Sequence, residues 1–166
     1  MFSSCSSDDS GSTTASFVSS ILIDGVAFVP GTPNNPVASP IATYFEAGVN
    51  DGESNVRVFS MLKTGAVGDI QAMESIQLNV FYPVTQTSVS GTYDFDFNFE
   101  TAGDTYIQGF YSKGMDMESF ENGTITIVDL GGNKFKIVFN DVVTRQNQVG
   151  ITGSLEGTFE LQAQEL

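Results

Sequence analysis

Between Gly91 and Glu100 the chain alternates without a break: Tyr93, Phe95, Phe97 and Phe99 fall on one side, and Asp94, Asp96, Asn98 and Glu100 on the other. A strict period of two places one face against a core and the other in water, so this segment predicts a half-buried strand. The same pattern recurs in Ile76–Tyr82, which Pro83 ends, and in Asn133–Val143, where Phe135, Ile137 and Phe139 face inward. It closes in Ile151–Gln162, with Ile151, Leu155, Phe159 and Leu161 opposite a polar row. Gly153 and Gly157 fall on the apolar side of that last segment, where a missing side chain permits a bend or a close approach of backbone.

Turn chemistry separates these runs. Asp24-Gly25 stands between two short apolar stretches, a signature of a two-residue hairpin. Gly48–Ser54 separates predicted strands at Ile41–Ala47 and Asn55–Lys63, and Gly131-Gly132 separates Thr124–Leu130 from its return strand. Pro30–Pro40 holds four of the five prolines and reads as a loop. Thr64–Ser75 is ambiguous, Tyr106–Ser112 reads as a strand, and Met115–Asn122 reads as a loop. About nine or ten strands with short links and no convincing helix predict an all-β fold. The expected architecture is an antiparallel β-sandwich or partly closed β-barrel, mostly a meander.

Composition narrows what such a domain does. Its 166 residues suffice for one buried core, expected over residues 16–166. Six Lys and Arg against twenty Asp and Glu, a net charge of −14, exclude a phosphate-binding surface, so no nucleic-acid partner is expected. Histidine is absent, which removes Ser-His-Asp and Cys-His catalysis and His-ligated metals. No G-x-S-x-G elbow and no phosphate-binding glycine loop occurs, so no cofactor is expected.

The single cysteine, Cys5, heads a run of small and polar residues, Ser6 to Thr14, that cannot order itself. Residues 1–15 therefore read as a tether. Phe2-Ser3-Ser4-Cys5 resembles the end of a bacterial lipoprotein signal, and Ser6-Ser7-Asp8-Asp9 resembles the acidic stretch that sends such proteins to the cell surface in Bacteroidota. Only Met1 to Ser4 precede the cysteine here, so the charged and apolar segments of an export signal are not in this sequence. A lone thiol in an unfolded end is the alternative reading of the same residues.

The body also resembles small Bacteroidota outer-membrane lipoproteins of unknown function. The resemblance rests on Ile23-Asp24-Gly25 with Phe28, on Gly91-Thr92-Tyr93 and on Gly123–Ile127. Asn133-Lys134 and the closing Ile151–Phe159 complete it. It implies a fold and an address, with lipid on Cys5 and the domain facing the cell exterior, and no activity.

Candidate chemistry is sparse. The row Asp94, Asp96 and Glu100 reads as a catalytic pair or a cation site; Asp94 and Asp96 lie roughly 7 Å apart along a strand, a spacing compatible with a carboxylate-dependent glycoside hydrolase. A solvated outer face explains the same acids. Asp51 and Glu53 are weak calcium candidates, because their loop lacks the ligand order of a calcium-binding turn. Asp116, Glu118 and Glu121 make a similar acidic loop. Tyr82, Phe110 and Tyr111 are candidate contacts for a ligand or partner, since aromatic rings combine area with low conformational cost. The expectation is a non-catalytic binding or accessory module for an outer-membrane protein or an extracellular glycan. A lipocalin-like barrel carrying a small apolar ligand is the alternative.

Overall fold

Short turns with left-handed backbone set the register of the sheet. The structure is a computed structural model that describes residues 18–30, 42–64, 72–95, 103–146 and 150–166. Its strands are β1 (Val18–Ser19), β2 (Leu22–Ile23), β3 (Val26–Ala27), β4 (Ala42–Gly48), β5 (Ser54–Lys63) and β6 (Glu74–Pro83). They continue with β7 (Gly91–Asp94), β8 (Tyr106–Lys113), β9 (Asp116–Gly131), β10 (Lys134–Gln146), β11 (Gly150–Gln162) and β12 (Gln164–Glu165). Asp24-Gly25 joins β2 to β3 with φ of 51° and 74°, and Gly132-Asn133 joins β9 to β10 with φ of 59° at both. Positive φ at both central residues matches the right-handed twist of paired strands. A single helical turn, α1 (Val49–Gly52), carries left-handed Asn50 and Asp51 and links β4 to β5.

Sequential strands pair as a meander, in the order β4-β5-β6-β8-β9-β10-β11, all antiparallel. Off this path, β7 adds to the distal half of β9, and β1 and the β2–β3 hairpin add to β11. After Ala163, β12 lies parallel to the start of β4 over two residue pairs, Gln164↔Ala42 and Glu165↔Thr43. The sheet thus curls on itself around one core and is not closed into a barrel. The fold is all-β, as the alternation predicts.

The concave face is filled by side chains. Phe28, Phe59, Phe120, Phe135, Phe159 and Tyr93 are almost wholly buried, with Ile21, Met61, Ile76, Leu78 and Ile107 among them. Phe59 on β5 meets Phe135 on β10 edge to face at 5.0 Å, which shows opposite parts of the curled sheet in contact. Tyr93 donates its hydroxyl to the Val89 carbonyl at 2.6 Å, and burial pushes it up to about 12. The glycines of β11 behave as their positions predict. At Gly157, φ is 117° and a Cβ would overlap the Ser20 carbonyl; at Gly153 it would meet the Asp24 carboxylate at 2.6 Å. Both let the β1–β2 segment lie close against β11.

One segment departs from the sequence reading. Met115–Asn122 is not a loop: β9 begins at Asp116 and runs unbroken to Gly131. Lys113↔Asp116 and Tyr111↔Glu118 pair it with β8, while Phe120↔Thr144 pairs it with β10. Its alternation is hidden because Asp116 and Glu118 occupy inward positions at an open end of the sheet, where they line a cleft instead of the core. The β9–β10 turn is likewise Gly132-Asn133, one residue later than expected. The tether with Cys5, Ser6, Ser7, Asp8 and Asp9, the proline-rich stretch from Gly31, and the ambiguous segment at 65–71 lie outside the described residues.

Candidate functional site

The inward face of β5 changes character along its length. Met61 and Phe59 are buried in the core; the next two inward positions are Arg57 and Asn55. Across the sheet Asn55 pairs with Tyr82, Arg57 with Val80 on one side and Phe45 on the other. Polar groups thus replace apolar ones where the curled sheet opens to solvent. A cleft of about 450 Å³ lies there, lined by Phe45, Asn55, Arg57, Tyr82, Gln86 and Asp129, with Ala47, Val84, Thr87, Ser88 and Val89.

The cleft has a pre-organised rim. Val84 to Ser90 connects β6 to β7 and is tied down by its own polar atoms. Gln86 Nε2 donates to the Ser88 carbonyl at 2.5 Å, and Ser90 Oγ accepts from Asp129 N–H at 2.9 Å. Val84 N–H donates to the Glu53 carbonyl at 3.0 Å, which fixes the rim to the α1 side. Such bonds hold the lining groups before any ligand arrives, which lowers the ordering cost of binding.

Arg57 dominates the electrostatics. Its guanidinium carbon lies 5.0 Å from the Phe45 ring centre and 5.9 Å from that of Phe135, both within cation–π range. Nη1 is 3.5 Å from Glu165 Oε1, and both Nε and Nη1 are buried without a hydrogen-bond partner. Tyr82 is pushed up by burial; the charge of Arg57 and a hydrogen bond with it oppose this, and Asp129 adds to it. A guanidinium offers five donors in a fixed plane, and two of its nitrogens here are not used by the protein for hydrogen bonds.

A second, smaller cleft of about 250 Å³ lies at the other end of β6, between the β2–β3 hairpin and the β8–β9 turn. Asp24, Glu74, Asp116 and Glu118 line it with Tyr111 and Lys113. Here the central polar groups are satisfied. Lys63 Nζ donates to Glu74 Oε1 at 2.8 Å, and Tyr111 donates its hydroxyl to Glu74 Oε2 at 3.0 Å. Burial alone would raise Glu74, but these two bonds and the charges of Lys63 and Lys113 hold it below its ordinary value. Tyr111 is raised by burial first and then by the Glu74 bond and charge, with Glu118 and Asp24 adding to it.

The sequence candidates are dispersed. Tyr82 and Tyr111 are both buried and line opposite clefts. Phe110 is half-buried on the other face of β8. Asp94 is exposed on β7, while Asp96 and Glu100 lie outside the described residues. Asp51 and Glu53 are exposed at the α1 turn, and among the described residues no three His, Cys, Asp or Glu side chains are grouped to hold a metal. Asp116 and Glu118 line the acidic cleft from β9, and Glu121 pairs with Arg145 at 2.8 Å. Sequence reasoning missed Asn55, Arg57, Gln86 and Asp129. The one available signal was Arg57, a lone cation in step with Phe59 and Met61.

No family model matches this chain, and no curated protein or solved structure is significantly similar to it.

Proposed function

We propose that this chain is a non-catalytic binding module, anchored by lipid on Cys5 to an outer membrane, that faces the cell exterior and takes an extracellular glycan in the Arg57 cleft. The observation that carries the binding half is the lining itself: planar polar groups of Asn55, Arg57, Gln86 and Asp129 beside the rings of Phe45 and Tyr82. A sugar ring presents C–H groups on its faces and hydroxyls that both donate and accept around its rim. Amide, carboxylate and guanidinium planes match the hydroxyls, and aromatic carbon matches the faces. The anchoring half rests on the resemblance of Phe2–Asp9 to a lipoprotein signal and its surface-export stretch.

Two other readings receive less support. Packing of Phe28, Phe59, Phe135 and Phe159 through the interior disfavours an apolar-ligand carrier. Glu74, whose two oxygens accept from Lys63 and Tyr111, is held ionised, the opposite of what a general acid needs.

A glycan array probed with the folded chain, followed by titration of a bound glycan against Asn55→Ala and Gln86→Ala, tests the cleft. Binding weakened at least tenfold by each supports it. An array without any bound glycan, or binding untouched by both substitutions, overturns it. Mass spectrometry of the protein extracted from its native membrane tests the anchor, and an unmodified Cys5 overturns that half.

A further inference from the structure

Arg57 is engaged by a strap of its own chain. Beyond β11, Ala163 N–H donates to the Asn133 carbonyl at 2.6 Å and Leu166 N–H to the Thr43 carbonyl at 2.9 Å. Between them, β12 follows β4 for two residue pairs. Glu165 there sets Oε1 at 3.5 Å from Arg57 Nη1, while its Oε2 accepts from Asn133 Nδ2 at 3.3 Å.

The hold is loose on three counts. A charge-assisted N–H···O bond runs about 2.7–2.9 Å, so the Glu165 contact is a long ion pair that leaves Nη1 without a hydrogen bond. The Glu165 side chain is 52% exposed and Leu166 is 82% exposed, so neither secures the strap by apolar burial. The ladder itself is two pairs long. By contrast Arg57 is 16% exposed and flanked by Phe45 and Phe135, so it stays in place without the strap.

We infer that the cleft recognises an acidic sugar, a uronic-acid unit within a glycan, whose carboxylate replaces that of Glu165 on Arg57, and that the strap Gln164–Leu166 is the internal competitor it displaces. This rests on the binding reading above and names its ligand class. The local charges require exchange, not addition. Arg57 is the one cation among the described residues that line the cleft; Asp129 lines it from β9, and Glu165, outside that lining, lies 3.5 Å from Arg57. A third carboxylate entering with the strap in place meets net repulsion, whereas one that takes the Glu165 position leaves the charge unchanged. The incoming carboxylate, free to orient, can bond Nε and Nη1, which the strap leaves without a hydrogen bond.

Titration of the full chain with a trimer of galacturonic acid and with the equal-length neutral galactose trimer tests this. The acidic trimer binds tighter, and Glu165→Gln tightens it further by roughly two- to fivefold, the range of an exposed ion pair. The neutral trimer is unaffected by that substitution, and Arg57→Gln abolishes the preference. Glu165→Gln sits on the exposed strap and keeps the test open should Arg57→Gln fail to fold. Equal binding of the two trimers overturns the inference and leaves the wider glycan reading standing. So does acidic-trimer affinity that is unchanged or weakened in Glu165→Gln. Binding of neither trimer also overturns it, while the glycan array decides the wider reading separately.

Discussion

The two ends of β6 treat charge in opposite ways. At Glu74 the carboxylate receives a lysine and a tyrosine at 2.8 and 3.0 Å, and its oxygens are both used. At Tyr82 the neighbouring guanidinium meets its carboxylate at 3.5 Å and keeps two nitrogens unbonded. Both clusters lie where the curled sheet opens and the alternation of apolar residues gives way to polar ones. A satisfied network adds stability and leaves nothing for a ligand to gain; an unsatisfied one costs stability and offers binding energy. The difference between the ends, and not charge or cleft size, is what sets the Glu74 cluster apart as structural and the Arg57 cluster as the proposed binding site.

The largest expected effect breaks the structural end. Glu74→Ala leaves the Lys63 ammonium and Tyr111 hydroxyl without their acceptor and lowers unfolding free energy by about 2 kcal/mol in urea titration. Arg57→Met, which exchanges an under-bonded guanidinium for apolar volume beside Phe45 and Phe135, changes stability by less than about 1 kcal/mol. Equal losses from the two substitutions would show that the two ends of β6 do not differ in how well their charges are satisfied.

Acid sharpens the same contrast with a smaller effect. Glu74 has its native value below the ordinary 4.5, so its contribution is present above that pH and is lost as pH falls through the lower native value. The stability gap between wild type and Glu74→Gln is therefore widest near neutral pH and closes in acid. A gap that is constant from neutral pH into strong acid would show that the ionised carboxylate is not the stabilising form.

The smallest effect is in alkali and is read by carbon-13 shifts of labelled tyrosine. Tyr111 and Tyr82 are both raised by burial, but Glu74 raises the first further whereas Arg57 opposes the rise of the second. Tyr82 therefore ionises before Tyr111, and Arg57→Met moves Tyr82 upward. Because both native values lie above the ordinary 10.0, their contribution to stability is complete below that pH and is lost as pH rises through each native value. Reversed order would mean that Arg57 does not act on Tyr82.

Much of the fold was legible from short-range pattern. Phe135, Ile137 and Phe139 were readable as inward because Lys134, Lys136 and Asn140 fall on the opposite face, and Asp24-Gly25 was readable as a hairpin because its turn demands positive φ. The phase of β5 was not readable. Val56, Val58 and Leu62 make its outer face as apolar as the inner face of Phe59 and Met61, so Arg57 fits either side until β4 and β6 set the register. The start of β9 was hidden for the converse reason, since acids occupy inward positions that water reaches.

By itself, then, the sequence determined an acidic, histidine-free, all-β chain, because charge count, turn residues and period-two alternation are local properties. Tertiary structure alone decided that Asn55, Tyr82, Gln86 and Asp129 meet around Arg57, and that Glu165 reaches it from the strap. Those residues lie on separate segments with no shared local pattern. Only the curl of the sheet, driven by burial of its concave face, brings them within reach of one another.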